Sequence, residues 1–284
     1  NTVLGESALD AVTSGGDNVA LGINTLTNNT TGTKNVAVGS QTHVLNTTGA
    51  DNTAIGQAAL YNNTTGSENV AVGRAALNTN STGIRNTSIG RDSLLANTTG
   101  GSNTAVGYKA LTANTTASNN VAVGLNSMLA NTTGTANTAL GAATLFSNTT
   151  ANNNTALGYQ CLALNSTNGN NTAVGAYALD GCTSGYNNVG VGYNSLGANT
   201  TGTSNVSVGA HCLDANTTGS GIVAIGLDCL GKNTTGGSNT GCGLSVLKEN
   251  TTGSSNTAFG TQTLSNTTAS FNTAFGAYAM QNSK

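Results

Sequence analysis

The sequence predicts an all-β fold, a parallel β-solenoid (β-roll) of 17 coils with 17 residues per coil, from three observations. The 284 residues align with one another as fifteen 17-residue repeats over 1–255, a 16-residue repeat over 256–271 and a partial repeat over 272–284. A period of 17 is too short for helical repeats, which need about 33 residues or more. The chain contains 39 Gly and no Pro, so every coil can donate backbone hydrogen bonds to its neighbours. Positions within the repeat are called columns 1 to 17, with Asn1 in column 1.

The strand of each coil is predicted in columns 2 to 4, for example Thr104, Ala105 and Val106, which alternate with period two before Gly107. A second short extended piece is expected in columns 8 to 10, around Leu111. Column 4 is apolar throughout and column 9 is Leu in fourteen copies, so these two columns are the predicted core. The small column 3 is the expected chain–chain interface. At about 4.8 Å per coil, the stack would form a rod of roughly 80 Å.

Column 5 is invariant glycine, which indicates a sharp bend that a Cβ would obstruct. The predicted bends are Gly5, Gly22, Gly39, Gly56, Gly73, Gly90, Gly107, Gly124, Gly141, Gly158, Gly175, Gly192, Gly209, Gly226, Gly243, Gly260 and Gly276.

Columns 12 to 15 read Asn-Thr-Thr-Gly, a turn sequence whose side chains bond their own backbone. Column 1 is Asn in every copy except Ile222, and both asparagine columns are expected to form amide ladders. The turn also creates sequons, which accept glycans in a secretory pathway when they lie on exposed loops. The alternative is that one turn was copied with the repeat. The candidate glycosylation sites are Asn29, Asn46, Asn63, Asn80, Asn97, Asn114, Asn131, Asn148, Asn165, Asn199, Asn216, Asn233, Asn250 and Asn266.

The five cysteines form no Cys-x-x-Cys motif. Cys212 and Cys229 occupy column 8 of adjacent coils, at a spacing compatible with a disulfide. The alternative is that they are small half-buried residues. His43 replaces a column-9 Leu and is expected to be a tolerated or partly exposed core substitution. His211 precedes Cys212, but neighbours on a strand point to opposite faces, so no metal site is expected there.

The remaining composition excludes several functions. Net charge is −2 and charged residues are 6% of the chain, which argues against nucleic-acid binding. No run approaches the ~20 apolar residues of a membrane span, so no membrane insertion is predicted. The acidic residues are scattered and no nucleophile, base and orienting group cluster, so we expect no catalysis, no metal and no cofactor.

No change in composition divides the chain, which predicts one domain over 1–284. The first residue is Asn rather than Met, which indicates a mature or trimmed segment.

The strand motifs NVAVG (35–39, 69–73, 120–124) and IVAIG (222–226) resemble the YadA-like β-roll head repeats of trimeric adhesins. The complete repeat NTAVGYKALTANTTASN (103–119) is similar to repeat arrays of phage and viral tail fibres and of bacterial surface fibres. This resemblance implies a left-handed roll with three chains around one axis.

These features predict a structural subunit of an extracellular, cell-surface or virion fibre, a shaft or adhesin-like rod. The expected partners are further copies of the chain, as a homotrimer or a head-to-tail filament, and a cell-surface or polysaccharide receptor. Neither end shows a polar cap, which favours a fragment or end-to-end stacking.

The alternative function is a carbohydrate- or ice-binding module. For ice, an extended turn would leave one outward threonine row. For sugars, the tyrosines look too irregular to form a stripe: Tyr108, Tyr159, Tyr177, Tyr193 and Tyr278.

Overall fold

The computed structural model describes residues 1–282 and confirms the parallel β-solenoid. Seventeen strands of three residues recur every 17 residues, except that the last follows after 16. Residues 1–282 contain no helix. Strands β1 to β17 are Thr2–Leu4, Val19–Leu21, Val36–Val38, Thr53–Ile55, Val70–Val72, Thr87–Ile89, Thr104–Val106, Val121–Val123, Thr138–Leu140, Thr155–Leu157, Thr172–Val174, Val189–Val191, Val206–Val208, Val223–Ile225, Thr240–Cys242, Thr257–Phe259 and Thr273–Phe275.

The chain divides into two compact units. The first is Asn1–Ala142 with β1 to β9, and the second begins at Ala143 and contains β10 to β17. Within each unit every strand pairs in parallel and in register with the next, so that equal columns lie above one another. Both units carry the same repeat, and the single domain over 1–284 stays a prediction of the sequence.

The inside of each coil is lined by column 3. The prediction that column 4 forms the core together with column 9 is therefore wrong. Ala105 is fully buried, whereas Thr104 and Val106 on either side of it are partly exposed. A Cβ on Gly190, also in column 3, would lie 3.3 Å from Cδ1 of Leu179 in column 9. The coil is too narrow for a second ladder of large side chains opposite the leucines. Column 3 is thus core rather than a chain–chain interface, and column 4 faces outward.

Columns 7 to 9 form a turn rather than the predicted extended piece. The residues of columns 7, 9 and 17 have left-handed φ angles, for example 54° at both Lys109 and Leu111. No β-branched residue occupies these three columns in any coil, which suits a conformation that β-branched side chains avoid. The bent backbone still bonds to both neighbouring coils: the Lys109 N–H donates to the Arg91 carbonyl at 3.1 Å and the Leu111 N–H to the Ser127 carbonyl at 2.9 Å.

The column-5 glycines bend the chain as predicted, with φ between 111° and 144° in all seventeen coils. At Gly107 a Cβ would lie 2.5 Å from the carbonyl oxygen of Gly124 in the next coil. Backbone–backbone contact between stacked bends therefore leaves no room for a side chain.

Leucine substitutions at two neighbouring positions test which strand side chains face inward. We expect Ala105→Leu to lower the free energy of unfolding by about 1–3 kcal/mol, because it overfills a closed core. Val106→Leu, which places Leu in a column that already holds Leu140, should change it by less than about 0.5 kcal/mol. Denaturant unfolding followed by circular dichroism measures both. A larger loss for Val106→Leu would contradict the observed orientation.

Candidate functional site

The outward side chains of columns 2 and 4 form an uncharged surface along each unit, here called the strand face, in which column 4 is apolar and column 2 is Thr or Val. No charged residue occurs in columns 2 to 4 of any coil. Ile55 and Ile89 in the first unit are each 40% exposed, and Ile225 in the second is 41% exposed. Near the end of the second unit, the Phe259 and Phe275 rings stack with centroids 5.2 Å apart. Contiguous exposed apolar surface of this kind is typical of interaction sites.

Two asparagine ladders are buried inside the coils, as their repetition predicts. In column 1, the Asn35 backbone N–H donates to Oδ1 of Asn18 at 2.9 Å, and Nδ2 of Asn35 donates to the Gly49 carbonyl at 2.9 Å. In column 12, Nδ2 of Asn97 donates to Oδ1 of Asn80 at 2.8 Å and to the Gly100 carbonyl at 2.9 Å. Each ladder links successive coils and satisfies polar groups that burial would otherwise leave costly.

The column-12 ladder overturns the glycosylation prediction at thirteen of the fourteen sequons. Their asparagines are buried, and the Nδ2 atoms that would carry a glycan face the interior. Asn266 alone is exposed, because its repeat has one residue fewer and places Thr267 in the buried position. The buried thirteen are Asn29, Asn46, Asn63, Asn80, Asn97, Asn114, Asn131, Asn148, Asn165, Asn199, Asn216, Asn233 and Asn250.

Two sequon asparagines of the second unit provide a matched test of this burial. Asn233→Ala should lower the free energy of unfolding by about 3 kcal/mol, because it removes bonds to Asn216 and Gly236 and leaves buried partners unpaired. Asn266→Ala should change it by less than about 0.5 kcal/mol. Thermal and denaturant unfolding of both variants measure the difference. Equal losses would contradict the structural role of column 12.

The predicted disulfide partners Cys212 and Cys229 lie together in the core of the second unit as free thiols. The Cys212 thiol donates to the Ala224 carbonyl at 3.3 Å. A hydrogen bond to the Cys212 thiol, together with burial, raises the pKa of Cys229. Gly241 makes room for this sulfur, since a Cβ there would lie 2.7 Å from Sγ of Cys229. The structure thus brings the pair together without a bond between the sulfurs.

The two histidines differ in environment, as predicted. His43 is fully buried in column 9, where its Nε2 lies 3.2 Å from Nδ2 of Asn63 and its Nδ1 has no partner. Burial lowers the pKa of His43 to about 3. His211 is half exposed, with Nδ1 3.3 Å from Oδ2 of Asp214, while the adjacent Cys212 points inward. Over residues 1–282, no three His, Cys, Asp or Glu side chains are placed to hold a metal.

His43 should make the first unit acid-sensitive. The unfolded imidazole takes up a proton near pH 6.5, whereas the folded one does so only near pH 3. The unfolded state therefore binds more protons between these values, and stability falls as the pH drops through this window. We expect His43→Leu to be more stable at pH 7, and its free energy of unfolding to fall by about 4 kcal/mol less than that of the natural chain between pH 7 and 3.

Denaturant unfolding of both chains across this pH range measures the effect. His211→Gln is the control, because its half-exposed side chain should leave the acid sensitivity unchanged. Parallel pH profiles for His43→Leu and the natural chain would contradict the burial of a neutral imidazole.

The threonines of the turn leave one outward row, as predicted. In column 13 the Thr47 hydroxyl is half-buried and donates to the Thr64 carbonyl of the next coil at 3.0 Å. In column 14, Thr48 is exposed. The exposed row of these turns is therefore column 14, although some threonines of column 13, such as Thr13 and Thr183, are exposed as well.

Tyrosines of the second unit form a continuous row, so the prediction that they are too irregular is wrong for this segment. Tyr159, Tyr177, Tyr193 and His211 lie in four successive coils, with centroids 5.4, 5.9 and 5.3 Å apart and edge-to-face geometry. We call these four residues the aromatic ladder. They alternate between columns 6 and 7, and the left-handed backbone of column 7 brings both columns into one row. The tyrosines look irregular in the sequence because they alternate between two columns, which the fold brings into one row.

The fold defines a repeat protein of the parallel β-solenoid class. Comparisons with protein-family models, curated proteins and solved structures find no match to this chain. Within residues 1–282, no helix has the length and apolarity needed to cross a membrane. A function for this chain is therefore inferred from the surfaces described above.

Proposed function

We propose that the chain is a non-catalytic structural subunit of an extracellular, cell-surface or virion fibre or filament, a shaft or adhesin-like rod that assembles with further copies of itself. The strand face is the observation that supports this proposal. It repeats in every coil, carries no charge, and presents β-branched and other apolar side chains to solvent.

The size of the strand face suits a protein–protein contact. In the first unit, nine strands of three residues make a surface about 10 Å wide and about 40 Å long. The resulting area of about 400 Å², to which column 4 contributes apolar side chains and column 2 a mixture of Thr and Val, matches in size the surface patches that are often functional on ordinary monomers. The core inside is thin, with one leucine and small side chains per coil, so covering the strand face would add substantially to buried apolar area.

The position of the strand face favours lateral assembly. It runs along the side of the coils and not across a coil edge, so a second copy would pack beside the first. The resemblance to adhesin heads implies three such chains, and a homotrimer is our proposed assembly. A head-to-tail filament is the alternative. The cell-surface or polysaccharide receptor and the location outside the cell or on a virion are parts of the same proposal.

Lysines on the strand face test this assembly. We expect the natural chain to sediment as an oligomer, and electron micrographs to show rods too thick for one chain. Val72→Lys combined with Val106→Lys should yield monomers, because it buries charge at the contact. The control is Thr65→Lys combined with Thr99→Lys, which places the same charges in the exposed column 14 and should leave assembly intact. A monomeric natural chain that forms no filaments would contradict the proposal.

A further inference from the structure

We propose that the aromatic ladder of the second unit is a binding site for an uncharged polysaccharide, such as a chain of β-linked glucose or N-acetylglucosamine. The site rests on the polysaccharide-receptor part of the proposed function and gives it a place on the chain, and it can be tested separately from assembly because its residues lie in columns 6 and 7 and not on the strand face.

The rings are not needed for the coil to fold. Other coils carry Gln57 or Ser40 in column 6 and Ala58 or Ala75 in column 7, and they form the same turn with the same left-handed backbone. The requirements of the fold therefore do not explain why four successive coils carry an aromatic ring.

The ladder is open to solvent. Tyr159 is 48% exposed and Tyr193 is 52% exposed, while Tyr177 between them and His211 beyond Tyr193 are half-buried. Ala176 occupies column 6 of the coil that contains Tyr177, and Ala210 precedes His211 in the same way. These small side chains place no bulky group beside the neighbouring rings.

The chemistry of the rings suits a sugar. Tyrosine combines an apolar face with a hydroxyl that donates and accepts hydrogen bonds, and sugar rings combine apolar C–H faces with hydroxyl edges. Asp180 and Asp214, both in column 10, supply carboxylate acceptors beside the row, and Asp214 already contacts His211. Partial desolvation, the flanking tyrosines and the nearby Asp180 together raise the pKa of the Tyr177 phenol.

The charge around the ladder selects against acidic ligands. No Lys or Arg occurs anywhere from 143 to 231, and the charged side chains of the coils that carry the ladder are Asp180 and Asp214. Nucleic acids and acidic polysaccharides would meet no positive charge here. Tyr108 in the first unit differs in its surroundings. The centroid of its ring lies 5.7 Å from Cζ of Arg91 and 5.4 Å from Nζ of Lys109, and no ring of residues 1–282 stacks with it.

The spacing suits an extended chain that runs along the stack of coils. Stacked coils repeat at about 4.8 Å, so Tyr159 and Tyr193, two coils apart, are separated by about 10 Å. This is close to the length of two sugar units in an extended β-linked chain. Alternate exposed rings would then contact alternate sugars, and the half-buried rings would hold them in place.

Affinity electrophoresis of the full chain tests the site. The probes are hydroxyethyl cellulose, glycol chitin and, as the acidic comparison, polygalacturonate. We expect retardation by at least one of the two uncharged polymers and none by polygalacturonate. Retardation by neither uncharged polymer, or equal retardation by polygalacturonate, would overturn the proposal.

Matched variants separate binding from folding. Tyr193→Leu keeps apolar volume but removes the ring that contacts both Tyr177 and His211, and should weaken binding at least tenfold. Tyr186→Leu is the control, because Tyr186 is 47% exposed in the same unit but lies outside the ladder. It should bind as the natural chain does. Tyr193→Leu binding with unchanged affinity would overturn the proposal.

The assembly state is measured at the same protein concentrations by sedimentation. A chain that assembles but does not bind the polymers disproves only the ladder site, whereas a monomer that binds them disproves only the fibre proposal. Circular dichroism confirms that each variant retains the fold.

Discussion

Hydrogen bonding between stacked coils is the constraint on which the rest of the structure depends. Equal coil length keeps the strand pairs and both asparagine ladders in register. In the single 16-residue repeat the pairing of β16 with β17 and the column-1 ladder are kept, but the loss of one residue moves Asn266 to the surface and puts Thr267 in its place. The same constraint selects glycine in column 5, where stacked bends touch backbone to backbone, and excludes β-branched residues from the left-handed columns.

This close stacking produces a narrow core, and the narrow core explains where the apolar residues lie. Each coil has room for one leucine and a few small side chains, so Ala105 points inward and the larger Val106 outward. Buried polarity is tolerated because the asparagines bond one another between coils, whereas His43, which has one unpaired ring nitrogen, shows the cost of a polar group outside such a ladder. The apolar side chains excluded from the core become the strand face.

The two proposed functions use different outward-facing columns. The strand face repeats in every coil of each unit, which suits the proposed assembly of copies in register. Columns 6 and 7 differ from coil to coil, and in one segment they carry Tyr159, Tyr177, Tyr193 and His211 in succession. One uniform surface and one local surface can therefore serve assembly and ligand binding without competing for the same side chains.

The sequence by itself determined the period, the parallel stacking of coils, the column-5 bends and the presence of asparagine ladders. Each of these follows from repetition, because equal positions of successive repeats touch when the coils stack. Only the tertiary structure decided which strand side chains face inward, because alternation defines two faces without saying which one the coil closes around. It also decided that Asn233 is buried and that Tyr177 joins Tyr159 and Tyr193 in one row. Both depend on left-handed residues that turn the chain where alternation along an extended strand no longer applies.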